Sequence, residues 1–235
     1  MILEAIAAPY FGTNCWILAR EAGSECVIVD PGIASPNLLP PIQEVLSRFN
    51  LKPVATVITH GHLDHTFSVL PLCQGYSIPA YIHSDDRALL NDPFKALAPG
   101  GASSQIMQEL GVSHFAEPDD VREMSDQQEI SLVGFDITVH HAPGHTAGSA
   151  IFHFDDYLLS GDVLFAGSIG RTDMPTGSPE AMMRTLKEKI LPFSDEVIVL
   201  PGHGPQTTIG RERRTNPYLQ GEFLFQRSKD QEIKR

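Results

Sequence analysis

Cysteine, positive charge and long apolar runs are all scarce in this sequence. Its three cysteines, Cys15, Cys26 and Cys73, form no Cys-x-x-Cys pair, which disfavours a disulfide framework or a thiolate zinc site and favours a reducing compartment. Lysine and arginine number 17 against 29 acidic residues, a formal net charge of −12, and this balance argues against a nucleic-acid partner. No apolar run approaches the ~20 residues of a membrane-spanning helix, and residues 1–10 lack the basic region of a signal peptide. We therefore expect a cytoplasmic protein that binds neither nucleic acid nor membranes.

The sequence instead contains many short apolar runs that are typical of strands, with helical patterns between them. Its 235 residues, 42% hydrophobic and 20% charged, are enough for one soluble α/β domain with a sizeable core. Because the strands come in consecutive groups separated by single helices, we expect two sheets flanked by helices. Strands are predicted at residues 1–10, 14–19, 25–32, 54–60, 79–83, 129–142 (two strands joined by a turn), 149–154, 157–162 and 196–204.

Three segments have helical patterns: residues 35–50, 65–76 and 178–193. In the third, Ser178 is the expected N-cap and Pro179 the first helical residue. The first helix is expected to begin near Ser35, a capping residue that is followed by Pro36. Residues 92–116, which contain a Pro-Gly-Gly sequence, predict a long loop or a small helical excursion within the domain.

Metal-binding side chains are concentrated in residues 59–65, Thr-His-Gly-His-Leu-Asp-His, which follow a predicted strand. In an extended chain His60 and His62 project to the same side, because side chains alternate with a period of two. Asp64 and His65 follow where the chain turns into a helix, and they can address a second ion. Imidazole and carboxylate together suit zinc, iron or manganese better than calcium or magnesium. One His-x-His is a weak signal, but four candidate ligands in this spacing predict a metal site.

Three further candidate ligands each lie in a glycine-rich turn after a predicted strand. They are His145, Asp162 and His203. Glycine beside a ligand lets the backbone approach an ion closely. Each turn alone is as typical of an exposed polar residue, but three of them together with the histidine-rich segment predict one site. The predicted metal ligands are His60, His62, Asp64, His65, His145, Asp162 and His203.

The order of these motifs, THGHLDH, PGHTAGS, SGD and PGHG, resembles the metallo-β-lactamase superfamily, in particular its glyoxalase II-like hydrolases. The resemblance extends from about Cys15 to Tyr218. It implies an α/β fold, the αββα sandwich, with metals at one edge of the sheets, in a domain of residues 1–218 followed by a short tail, residues 219–235. It also implies which residues share an ion: one metal is held by His60, His62 and His145, the other by Asp64, His65 and His203, and Asp162 bridges them.

The resemblance implies two divalent ions, zinc in the first place with iron or manganese as alternatives, and a hydrolytic reaction. Two such ions lower the pKa of a shared water from about 15.7 towards ~7, so that hydroxide attacks a carbonyl polarised by one ion. Asp64 and Asp162 are then the catalytic carboxylates. Two ions, two carboxylates and one hydroxide leave a net positive charge, which favours a small anionic substrate despite the acidity of the chain.

The remaining motifs favour a thioester hydrolase within this superfamily. Asp162 disfavours a β-lactamase, which usually has cysteine or serine at the bridging position. The RNA-processing members are disfavoured as well, because they carry large extra domains that 235 residues do not accommodate. Residues 161–173 and 210–217 resemble a short bacterial subgroup of the glyoxalase II-like proteins. This implies cleavage of an S-2-hydroxyacylglutathione such as S-lactoylglutathione. Arg171 would bind the glycine carboxylate of glutathione, or alternatively it forms an ion pair with Asp173.

This chain differs from the longer glyoxalase II enzymes in two features. Those enzymes have a tyrosine two residues after their last histidine ligand, where this chain has Pro205. They also have a C-terminal helical domain, whereas only a short tail with basic residues at 227–230 follows Pro217 here. The thiol carrier is therefore either glutathione or another thiol.

The alternative is a persulfide dioxygenase of the same fold, since these enzymes also contain the Gly-Arg-Thr-Asp sequence found at residues 170–173. They hold a single iron on two histidines and an aspartate, which would be His60, His145 and Asp162. They usually have a cysteine where this chain has Ile169, which favours the hydrolase. A non-enzymatic metal-binding protein would require the whole ligand set to be incidental.

The other five histidines are predicted not to be ligands. His140 and His141 precede the Pro-Gly turn of residues 143–144, so they are candidates for orienting a ligand. The five are His83, His114, His140, His141 and His153.

Overall fold

The computed structural model describes residues 1–97 and 103–220. Within these ranges the chain forms twelve strands in two six-stranded sheets. The Pro-Gly-Gly sequence at 99–101, the basic residues at 227–230 and the rest of the tail beyond residue 220 lie outside the described residues. In the part that is described, no helix is long and apolar enough to cross a membrane.

The first sheet comes from the N-terminal half of the chain, and its strands lie side by side in chain order. The first two pairings are antiparallel and the remaining three are parallel. The sixth strand was not predicted, because its exposed polar residues carry no apolar alternation. The strands are β1 Ile2–Ala7, β2 Asn14–Ala19, β3 Glu25–Val29, β4 Lys52–Val57, β5 Ala80–His83 and β6 Val121–Met124.

The second sheet has the order β12-β11-β10-β9-β8-β7. All its pairings are antiparallel except that between β10 and β11. Only the two-residue β12 was not predicted from the sequence. The strands are β7 Glu129–Leu132, β8 Phe135–His141, β9 Ala150–Phe154, β10 Tyr157–Gly161, β11 Ile198–Pro201 and β12 Thr207–Thr208.

The helices lie on the outer faces of the sheets and in the connections between strands. Of the two alternatives predicted for residues 92–116, a long loop or a helical excursion, the described part of this range favours the second, with short helices at Pro93–Ala96 and Ser103–Leu110. The α-helices are α1 Leu39–Phe49, α2 Leu63–Thr66, α3 Val69–Tyr76, α4 Ala88–Asn91, α5 Ser103–Leu110, α6 Pro179–Thr185 and α7 Ile209–Thr215. Short helices of other types are Ser84–Asp86, Pro93–Ala96 and the π-helical turn Leu186–Ile190, which continues α6.

Helix starts show which local predictions hold. Ser178 caps α6 as predicted, since its Oγ accepts a backbone N–H at 3.2 Å. The predicted start of the first helix is wrong, because α1 begins at Leu39 rather than near Ser35. The N–H of Leu38 donates instead to Oγ of Ser68, 30 residues away, at 2.8 Å. A distant hydroxyl therefore satisfies a group for which a local cap was expected.

Three apolar layers join the helices and sheets. The first lies between the first sheet and α1 and α3, the second between the two sheets, and the third between the second sheet and α6 and α7. The β2 strand is buried on both faces, with Cys15 and Ile17 towards the helices and Trp16 and Leu18 towards the other sheet. This order of layers confirms the αββα sandwich.

The loops that carry the predicted ligands meet at one edge of the sandwich. Asn14 N donates to Gly202 O at 2.7 Å and Ala150 N donates to Thr59 O at 2.8 Å, so backbone hydrogen bonds join the two sheets there. The loops after β4, β8, β10 and β11 all end at this edge.

Candidate metal centre

Three histidines form the first group of donors at this edge. The ring centroids of His60, His62 and His145 are 4.5 to 4.8 Å apart, and each pair of rings is close to perpendicular. The Nε2 atom of each is buried and has no hydrogen-bond partner. Buried polar atoms in proteins are almost always paired. Three unpaired nitrogens that converge on one point therefore fit an ion bound between them.

Asp64, His65 and His203 form the second group. His203 Nε2 lies 3.2 Å from His65 Nε2 and 3.2 Å from Asp64 Oδ2. His65 Nε2 lies 3.5 Å from Asp64 Oδ2. Two nitrogens and one carboxylate oxygen at these spacings match the donor set of zinc, iron or manganese.

Asp162 lies between the two groups. Its Oδ2 is 3.5 Å from His145 Nε2 in the first group and 3.5 Å from His203 Nε2 in the second. Its Oδ1 is 3.4 Å from His65 Nε2. The structure thus brings all seven predicted ligands together and gives Asp162 the position expected of a bridge.

In four of the five candidate histidine ligands the second ring nitrogen, Nδ1, already has a hydrogen-bond partner. Such a bond fixes the orientation of an imidazole and leaves its Nε2 for an ion. The Nδ1 contacts are His60 with Thr59 Oγ1 at 3.1 Å, His65 with Asp30 Oδ2 at 2.9 Å, His145 with Arg171 O at 2.7 Å and His203 with Phe11 O at 3.1 Å.

Asp30 is a functional residue that the sequence analysis missed. It was predicted only as part of the strand at residues 25–32, yet its buried carboxylate accepts from Thr59 N at 2.8 Å and from Thr59 Oγ1 at 2.6 Å. It also contacts His65 Nδ1. One carboxylate thereby holds both the start of the histidine-rich loop and a ligand ring. Its position after a strand that is adjacent to β4 was the only available signal.

Asp86 is the second missed carboxylate, and it is completely buried. It accepts from Gly61 N at 2.7 Å, from Thr146 Oγ1 at 2.6 Å and from Gly148 N at 2.7 Å. These donors belong to the loops that carry His60 and His145, so Asp86 fixes the two loops relative to each other. Nothing in the sequence distinguishes it from its exposed neighbour Asp85.

Gly202 shows why glycine accompanies the ligands. A Cβ atom at this position would collide with Asp162 Oδ1 and lie 2.7 Å from His65 Cε1. Any other residue would push β11 and the loop of His203 away from the bridging carboxylate. The close approach inferred from the glycine-rich turns is therefore present.

Burial and neighbouring charges set the protonation of the donors. Burial, followed by the charge of His145, lowers the pKa of His62 to about 3, and burial lowers the pKa of His60 well below its ordinary value. Both rings are therefore neutral near pH 7, as metal ligands must be. Burial opposes charge on His65, but Asp162, Asp64 and Asp30 outweigh it and raise its pKa. Burial would also raise the pKa of Asp64, yet His65 and His203 lower it. The second group thus has a strong negative field, which suits a cation.

The side chain of Arg171 is 62% exposed and forms a two-pronged ion pair with Asp173, with both N–O distances 2.8 Å. This is the alternative stated for it from the sequence. The contact with the metal centre comes from its backbone, whose carbonyl accepts from His145 Nδ1. Its contact with a substrate carboxylate stays a prediction.

The loop between β1 and β2 contributes contacts that the sequence analysis did not foresee. Thr13 Oγ1 donates to Asp64 Oδ2 at 3.1 Å, and Phe11 O accepts from His203 Nδ1. The Phe11 side chain is 77% exposed, and its φ of +63° is rare for a residue other than glycine. This loop supports the second donor group at the open side of the site.

Residues 210–217, which carried part of the resemblance, hold a loop next to the metal centre. The buried Glu212 accepts from Gly167 N at 2.7 Å and from Asn216 Nδ2 at 2.9 Å. It thereby fixes the loop that carries Phe165, whose ring is 6.0 Å from that of His203.

Comparison with known proteins agrees with this geometry. The sequence model of the metallo-beta-lactamase superfamily matches residues 8–203, a range that includes all seven donors. The hydroxyacylglutathione hydrolase GloC of Haemophilus influenzae is 34% identical over 224 residues, which cover 93% of this chain and 98% of that protein.

Two solved structures are similar over nearly their whole length. The crystal structure of BLEG-1 B3 metallo-beta-lactamase has 34% identity and a TM-score of 0.79, covering 93% of this chain and 99% of that one. The crystal structure of TTHA1623 in a di-iron-bound form has 31% identity and a TM-score of 0.74, covering 93% and 100%.

Proposed function

The chain belongs to the metallo-beta-lactamase superfamily, and from this premise we propose that it is a two-metal hydrolase of acyl thioesters. The substrate class is S-2-hydroxyacylglutathione, with S-lactoylglutathione as its representative. The observation that carries the proposal is the pair of three-residue donor groups with Asp162 between them. The identity with GloC supports the choice of substrate.

The residues present fit two ions. His60, His62 and His145 would hold one, and Asp64, His65 and His203 the other, with Asp162 shared. Bound divalent ions supply a Lewis acid for the thioester carbonyl and lower the pKa of water. Asp30 keeps the ring of His65 in place, and Asp86 keeps the two histidine loops at their spacing. A thiolate leaves without a proton donor because its thiol has a pKa of only ~8.5, so the site needs no general acid.

The identity of the ions is part of the proposal. Zinc is our first choice because neutral imidazole and carboxylate suit it, and iron or manganese suit the same donors. The similarity to a protein solved in a di-iron-bound form supports iron as the alternative. The negative field around the second group favours any divalent cation and does not select among them.

Metal analysis together with a thioesterase assay tests the proposal. Protein purified without added metal, then loaded with zinc, iron or manganese, is expected to contain two ions per chain and to hydrolyse S-lactoylglutathione. Nitrocefin serves as the counter-substrate, because one similar structure is of a B3 metallo-beta-lactamase. If the protein instead saturates at one iron per chain and consumes oxygen when a thiol persulfide is added, it is a persulfide dioxygenase. The second donor group argues against that outcome, since a single-iron site would leave it unused.

Arg171 tests the thiol carrier. Arg171→Ala is expected to raise KM for S-lactoylglutathione with a smaller change in kcat, because a contact far from the carbonyl contributes mostly uniform binding. Asp173→Ala is the matched control: it removes the ion pair but leaves the guanidinium free for a substrate carboxylate. If both variants keep the KM of the unmodified protein, Arg171 does not bind the carrier. A fall in kcat alone would place Arg171 at the reacting atoms.

A further inference from the structure

The short helix α2 has two faces with different surroundings, and only one of them belongs to the candidate metal centre. Asp64 and His65 belong to the candidate metal centre. Leu63, Thr66 and Phe67, spaced three and four residues apart, share the other face and line a cavity of about 130 Å³. The opposite wall is formed by α3, α4 and residues 112–118.

One lining residue of this cavity, Leu63, directly precedes Asp64 in α2. Successive residues of an α-helix are about 100° apart around its axis, so Asp64 is adjacent to the face of Leu63 and not opposite to it. Both residues are half-exposed, and Leu63 stands between His62 and Asp64, one donor from each group. Leu63 therefore brings the wall of the cavity within one residue of a candidate metal ligand on either side.

The lining of the cavity is mostly apolar, and three of its residues, Asn37, Thr66 and His114, have polar side chains. Thr66 Oγ1 donates to His62 O at 3.0 Å, and Asn37 Oδ1 accepts from Leu39 N at 3.0 Å. His114 Nδ1 lies 3.1 Å from Ser113 Oγ. The remaining walls are mainly hydrocarbon, contributed by Leu63, Phe67, Leu70, Leu89, Leu90 and Phe115.

The volume sets the size of the occupant. An apolar cavity of about 150 Å³ in another protein accommodates benzene, so a cavity of about 130 Å³ has room for about four to six carbon atoms. Leu89 makes the wall continuous with the ligand loop, because a Cβ atom on Gly61 would lie 2.7 Å from Leu89 Cβ. The cavity is therefore built against the backbone that carries His60 and His62.

We propose that this cavity binds the hydrocarbon part of the acyl group, so that thioesters of acyl groups with four to six carbons are better substrates than the acetyl or lactoyl thioester. The inference rests on the proposed thioesterase function and extends its acyl range. Each methylene that enters an apolar site contributes about 0.8 kcal/mol, which corresponds to about a fourfold gain in kcat/KM.

The test is a series of straight-chain S-acylglutathiones from acetyl to decanoyl with the metal-replete protein. We expect kcat/KM to rise about fourfold per methylene up to five or six carbons and then to level off. Binding of the corresponding S-alkylglutathiones, which cannot be hydrolysed, provides a second readout by calorimetry. Their Kd is expected to fall over the same range of chain lengths.

Two variants connect the effect to the cavity. Leu70→Trp fills it and should abolish the gain with chain length while leaving acetyl thioester hydrolysis within about twofold. Phe115→Ala enlarges it and should move the plateau to longer chains. Neither residue is a proposed metal ligand, and unchanged metal content confirms that each variant is folded.

Failure of the inference differs from failure of the proposed function. A flat chain-length profile, or a gain that Leu70→Trp leaves intact, would overturn the cavity assignment even if thioesters are hydrolysed. If no thioester is hydrolysed, the proposed function fails, and the Kd series of S-alkylglutathiones still decides whether the cavity binds an alkyl chain.

Discussion

Two clusters of histidine and aspartate lie at strand ends in this protein, and their ring nitrogens face different surroundings. In the metal centre, neighbouring rings such as those of His62 and His145 are nearly perpendicular, at 89°, and their Nε2 atoms are buried without partners. In the second cluster the rings of His83 and His141 are stacked, 4.0 Å apart and only 9° from parallel, with Asp85 beside them.

In the stacked pair one nitrogen of each ring has a partner within the protein. His141 Nε2 is 2.8 Å from Ala147 O, and His83 Nδ1 accepts the N–H of Asp85 at 3.3 Å. An imidazole lone pair lies in the plane of its ring, so two stacked rings cannot direct lone pairs to one ion, whereas perpendicular rings can. Proximity of donors alone therefore does not make a metal site. We retain the prediction that His83 and His141 are not ligands and assign them to bracing the loop of Ala147.

Of the variants that distinguish the two clusters, Asp162→Ala is expected to have the largest effect on metal content and activity. This change removes a donor from both ions and the charge between them, so we expect loss of at least one ion per chain and a fall in kcat of about 10²-fold or more. Asp85→Ala is the matched control, since it removes the carboxylate of the other cluster. Metal content by mass spectrometry and thioester kinetics measure both. Full metal content and activity in Asp162→Ala would show that this residue is not the bridge.

An intermediate effect is expected from Asp30→Asn, which tests whether orientation of the rings distinguishes the clusters. The amide cannot match the carboxylate as an acceptor for both Thr59 and His65. Metal affinity should weaken by about 10 to 100-fold, the range found for residues that orient metal ligands. Competition with a chelator measures this affinity. An unchanged affinity would mean that the position of His65 is set without Asp30.

The smallest effect is expected from His141→Phe. Phenylalanine keeps a flat ring against His83 but has no nitrogen, so metal content should remain two per chain and activity should change by no more than about twofold. The lost contact with Ala147 should cost only about 1 kcal/mol of the free energy of unfolding. His145→Phe provides the contrast, because it removes a predicted ligand. If the His141→Phe variant contained one ion fewer per chain, the stacked cluster would have to be a metal site.

The sequence by itself identified the candidate metal ligands and determined the arrangement of layers. The positions of His60 and His62 follow from the period of an extended chain, and strand and helix patterns predict two sheets flanked by helices. The cap at Ser178 is equally local, since donor and acceptor are three residues apart. Signals of this kind depend on neighbours within one turn or one strand, and for that reason a single sequence contains them.

Only the tertiary structure decided what holds these elements in place. Asp30 is 35 residues from His65, Asp86 is 60 from Thr146, and Ser68 is 30 from the N–H of Leu38 that it satisfies. The cavity lined by Leu63 likewise joins α2 to residues 112–118. Each of these features depends on burial and on contact between segments far apart in the chain. An aspartate or serine in a turn has the same local sequence whether it meets water or a buried ring, and only packing distinguishes the two.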